Sequence, residues 1–160
     1  MDLDQLDQQI QTLVDQAPQD GQTPGVVEAI APVLKQIAQQ LKQPEYYVLQ
    51  TLDQNWVITT LSSRNEPDVE KKVIYAFPTL NDAANAPFAF KNPQLMAFPT
   101  PVIHILFQVA SMKTVDSTVF FNEPGNLSTG TEIRQSDLQT LIQAQLQRWK
   151  NAQSIPPDLA

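Results

Sequence analysis

The chain contains no cysteine, which excludes a disulfide, a thiolate nucleophile and a zinc–thiolate centre. Glycine is almost as scarce. The four glycines, at positions 21, 25, 125 and 130, permit neither a Walker A loop nor a dinucleotide fingerprint, and no Gly-x-Ser-x-Gly turn exists. Histidine occurs once, as His104, so imidazoles cannot build a metal triad. Positive charge is thin: ten Lys and Arg face seventeen Asp and Glu, the net charge is -7, and Lys71-Lys72 is the only adjacent basic pair. That balance repels a polyphosphate backbone, and no nucleic-acid partner is expected. The longest apolar run, VIHILF, is far below the roughly 20 residues that span a bilayer, so no membrane span is expected either. The start, MDLDQLDQQI, lacks the basic and apolar regions of an export signal. Together with the missing cysteine this makes the cytoplasm the expected compartment.

What is present is a globular composition, 42% hydrophobic and 17% charged, at the length of one ordinary domain. Residues 1–150 are expected to form a single domain and 151–160 a flexible tail. Glutamine is the compositional outlier, with 21 residues placed largely where a helix faces solvent. It is a good helix former without charge, and the simplest reading is a solvated face.

Leu3, Leu6, Ile10, Leu13 and Val14 recur at helical spacing over residues 3–16. A second helix opens with Thr23 as N-cap and Pro24 in its first turn, carries Val26, Val27, Ile30, Val33, Leu34, Ile37 and Leu41 on one face, and is expected to kink at Pro32. EYYVLQTL and WVITTLSS read as a hairpin turning at Asp53-Gln54-Asn55, and KVIYAF as a third strand. Thr79 caps a short helix with Asp82 three residues on. Pro87, Pro93, Pro99 and Pro101 exclude helix and central strand over 86–101, which is expected to be a long ordered loop or lid. PVIHILFQVASM and STVFFN read as strands, Pro124-Gly125 as the centre of a type II turn, and GTEIR as a short edge strand. Ser136 and Gln139 suggest a capping box opening a last helix with Leu138, Leu141, Ile142, Gln145, Leu146 and Trp149 on its stripe.

The order ααβββαββα predicts an α+β fold: an antiparallel sheet of about five strands with helices packed mainly on one face. This element order resembles the type III secretion chaperone-like proteins, small acidic proteins that hold partner polypeptides. The resemblance implies a chaperone-like holder, and because such proteins are often dimers it implies a homodimer. The Pro-rich segment between Pro87 and Pro101 departs from that pattern.

For chemistry, alternation on a strand puts His104 with Val102, Leu106 and Gln108, on the less apolar face, and a lone strand histidine reads as structural. Glu66, Asp68 and Glu70 lie close together but lack the glycine and terminal Glu of a calcium loop, so they read as a solvated loop and no metal site is expected. APFAFKNPQLMAFPTP is stiff, apolar and irregular. Phe88, Phe90, Leu95, Met96 and Phe98 are therefore the candidate partner-binding residues. With no catalytic constellation and no cofactor motif, the sequence favours a non-enzymatic cytoplasmic protein-interaction domain: a chaperone-like protein, assembly factor or regulatory adaptor binding a partner protein through its sheet and segment 86–101. The alternative is a small-molecule-binding domain or unfamiliar enzyme, with a pocket between sheet and helices near Tyr47, Thr60, His104 and Gln108.

Overall fold

The computed structural model describes residues 3–16, 23–53, 55–62, 70–85 and 95–153. Along the chain run α1 (Leu3–Gln16), α2 (Thr23–Ala38), β1 (Glu45–Gln50), β2 (Thr59–Ser62), β3 (Glu70–Phe77) and α3 (Leu80–Ala84). They are followed by β4 (Met96–Pro101), α4 (Val102–Ala110), β5 (Ser117–Phe120), β6 (Thr131–Arg134) and α5 (Gln135–Gln153). The α+β reading with one sheet is thus met, although the order becomes ααβββαβαββα.

Two expectations are corrected by the segment around His104. Residues 102–110 are a nine-residue helix and not a strand. Val102, Ile103, Ile105, Leu106 and Val109 are buried, which is helical spacing, while His104 and Gln108 lie one turn apart on the other side. The preceding prolines do not make a simple loop either: Met96–Pro101 is strand β4, paired along its whole length with β1.

The sheet runs β4-β1-β3-β5-β6, with β2 also paired to β3. Its pairings are antiparallel except β3 with β5, where Ile74 opposes Thr118 and Ala76 opposes Phe120. A parallel pair needs a crossover, and α4 lies in the connection that supplies it. Once 101–112 is read as a strand that crossover disappears, and an all-antiparallel sheet of about five strands follows. The expected hairpin is reduced to a bridge between Gln50 and Trp56, after which the chain leaves β1 and pairs with β3 instead.

Four helices cover one face of the sheet. Leu6, Leu34, Ile37, Ile103, Leu106 and Leu138 pack there against Tyr46, Val48, Ile74, Ala76 and Phe120. Tyr46 meets Phe120 edge to face at 5.0 Å. Its hydroxyl donates to Asn122 Oδ1 at 2.7 Å and accepts from the Gln43 amide at 3.2 Å, and burial raises its pKa. Side chains alternate across strands, so Leu49, Phe77 and Phe121 project to the opposite face, where α3 supplies Ala83. Phe121 stacks on both Tyr75 and Phe77 there, at 5.7 and 5.4 Å.

The caps divide between expected and unexpected. Thr79 caps α3 by accepting from the Asp82 amide, as its sequence position predicted. Pro124-Gly125 forms the predicted turn: Asn126 donates to the Glu123 carbonyl, and Gly125 takes a φ of 79°, a conformation that costs glycine nothing. Asp82, itself buried, receives the Gly125 amide and ties the turn to α3. The Ser136–Gln139 capping box is not formed, because Gln139 donates its side-chain amide to the Ala110 carbonyl at the end of α4. α2 continues through an exposed Pro32, and α5 extends to Gln153, into the segment expected as tail.

Candidate interaction surface

Strand β4 is an edge of the sheet, and its sequence decides what that edge can do. The register pairs Phe98 with Val48 and Met96 with Gln50. Directly paired residues share a face, so both side chains lie on the helix-covered side. They are nevertheless exposed, Met96 to 49% and Phe98 to 37%. Gln50 also bridges Trp56, which places that half-buried indole in the same row as Met96.

The backbone of this edge is blunted. Val102 donates its amide to the Pro44 carbonyl at 3.0 Å, so even-numbered residues here turn their N–H towards β1 and odd-numbered ones turn outward. Pro99 and Pro101 occupy outward positions and have no N–H, which leaves Ala97 as the outward donor of β4. An added strand would find almost no ladder to join. Contacts at this edge must therefore be made by side chains.

Leu95, Met96 and Phe98 are the described members of the expected partner-binding set, and Leu95 is half-buried at the start of the strand. Phe88 and Phe90 lie outside the described residues, as do Glu66 and Asp68. The four residues expected around a pocket do not converge. Tyr47 belongs to the aromatic cluster on the face opposite the helices, Thr60 is exposed on β2, and Gln108 is exposed on α4. His104 borders a polar notch of ≈ 300 Å³ with Gln5, Gln8, Thr12 and Glu45. It is half-buried, and loss of water around the ring pushes its pKa down, so the imidazole is neutral near pH 7.

The fold also assembles a mixed-charge groove that the sequence gives no sign of. Glu70, Lys71, Lys113, Asp116 and Arg134 line ≈ 610 Å³ beside the start of α5. Lys71 bridges to Glu132, which also accepts from Ser117 Oγ at 2.6 Å, and these hydrogen bonds, Lys71's first, lower the Glu132 pKa. Residues so distant along the chain meet only because β5 lies parallel to β3 and carries β6 beside it. Among the described residues no group of three or more His, Cys, Asp or Glu is placed to hold a metal ion, and no helix is long and apolar enough to cross a membrane. Comparison with protein-family models gives no match, and comparison with curated proteins finds no relative.

Proposed function

We propose that this chain is a non-enzymatic cytoplasmic protein-interaction domain, a chaperone-like holder, assembly factor or regulatory adaptor, whose partner docks on the β4 edge. One observation carries the reading: Met96 and Phe98 stand exposed on the same face of an edge strand that prolines close to strand addition. Large apolar side chains exposed together, beside the half-buried Trp56, have the composition of an interface centre. The partner that fits is a polypeptide offering apolar side chains to Met96 and Phe98. Basic flanking residues suit the net charge of -7 and speed encounter.

Site-specific photo-crosslinking in the native cell tests this. A benzophenone side chain in place of Met96 or Phe98 is expected to trap one discrete protein, whereas the same group in place of Leu61, which is 43% exposed on β2, a strand paired to β3, is expected to trap none. Equal labelling from all three positions would overturn the assignment.

A further inference from the structure

The last helix carries a surface that its own fold does not use. Leu141, expected on the buried stripe, is 44% exposed, while Leu138 and Ile142 on either side of it are buried. Asp137, Leu141, Ala144 and Arg148 are all exposed, and their spacing of four, three and four residues aligns them along one side of α5. The stripe borders a groove against α2. Leu141, Ala144 and Arg148 form one wall of ≈ 350 Å³, with Pro32, Val33 and Gln36 opposite. The groove continues past Leu141 towards Asp137, with Ile37 and Gln40 on the α2 side.

We infer that a second copy of this chain docks here, α5 against α5 and antiparallel, about a two-fold axis passing between Ile142 and Gln143. That axis sets Leu141 of each copy against Ala144 of the other, a large residue against a small one. It also sets Asp137 against Arg148 twice, once on each side of the axis. A two-fold contact must be self-complementary, and this stripe meets that requirement in both size and charge. Neither Asp137 nor Arg148 has an ion-pair partner among the described residues. Gln36, Gln40 and Gln145 border the groove, and the two other charged residues at its Asp137 end, Glu132 and Arg134, are of opposite sign. Two copies at -7 each repel, and uncharged glutamine removes that repulsion where the copies meet. Part of the glutamine excess is thereby an interface composition as well as a solvated face. This surface is separate from β4, and the inference does not rest on the partner proposed there.

Sedimentation of the full chain over a range of concentrations tests it through charge reversal. The wild type is expected to dimerise reversibly. Asp137→Arg and Arg148→Asp, each alone, put like charges together twice and are expected to weaken association about tenfold or more. The double variant Asp137→Arg/Arg148→Asp restores opposite pairs and is expected to return to near wild-type affinity. Each reversal opposes the helix dipole, so recovery in the double variant cannot come from a more stable helix. Leu141→Glu is expected to be monomeric with its melting temperature unchanged in dilute solution. If Asp137→Arg does not fold, Leu141→Glu and Ala144→Glu decide the question alone. A wild type that stays monomeric, a dimer indifferent to Leu141→Glu, or single reversals that the double variant does not rescue would each overturn the inference.

Discussion

Thr118 shows how much a single buried atom can reveal about the sheet. It sits in β5, 1% exposed, and its hydroxyl oxygen has no hydrogen-bond partner among the described residues. An unpaired buried hydroxyl is penalised by its lost hydration, so Thr118→Val, which keeps the shape and removes the polar atom, is expected to stabilise the protein by about 1 kcal/mol, read from denaturant unfolding. His104 gives a prediction of different sign. The unfolded chain takes up the proton near pH 6.5, whereas the half-buried ring resists it. Between that value and the lowered folded pKa the unfolded state binds more protons, so His104 makes stability fall as pH drops below about 6.5. His104→Gln removes this contribution, and melting temperatures from pH 7 to 5.5 are expected to fall less steeply in the variant than in the wild type. An unchanged slope would mean that the ring titrates normally. That His104 is half-buried was legible from its place as a lone histidine in an apolar run. Its element was not.

At the scale of elements, the sequence was most readable where one pattern stood alone and least where two overlapped. α1 and α2 show unbroken helical periodicity, and Thr79 and Pro124-Gly125 carry turn chemistry that works locally, so all were found. VIHILFQVA is rich in β-branched and apolar residues and satisfies a buried strand as well as a buried helix. The deciding signals were its length and the spacing of His104 and Gln108 by one helical turn. β4 failed for the opposite reason: prolines that rule out a central strand are compatible with an edge whose N–H side faces outward. α4 is held at both ends by glutamines from other helices, which no local pattern announces. Gln9 of α1 accepts from the Ile103 amide at 3.0 Å and donates to the Pro44 carbonyl at 2.8 Å, while Gln139 of α5 donates to the Ala110 carbonyl. Gln9→Ala removes both of its bonds and leaves a part-buried amide unpaired at the start of α4. A loss of about 1–3 kcal/mol is expected in urea unfolding, with binding at β4 intact.

For the molecule as a whole, the helix-covered core and the small aromatic core behind it leave the β4 edge and the α2–α5 groove as two surfaces with exposed apolar side chains among the described residues. Met96 and Phe98 of the first were already partner-binding candidates in the sequence, whereas the second could not be identified there, since it depends on which side chains the fold leaves uncovered. Leu141 was assigned to the core by its periodicity, and Met96 and Phe98 were assigned to a loop by their prolines. The two surfaces suggest a division of labour, with α5 joining copies of the chain and β4 presenting an apolar face to a different protein. The central claim is the second of these, and Met96→Ser/Phe98→Ser is its most direct test. Both side chains are substantially exposed, so the double variant is expected to lose far less than the about 3–5 kcal/mol of truncating one buried Phe. Quantitative affinity purification from the native cell, wild type beside variant at equal expression, is the measurement. The account predicts a stoichiometric partner that the wild type retains and the variant loses, with near-identical melting curves. A variant that keeps the whole set of wild-type partners, or one that unfolds because these side chains are core after all, would contradict it.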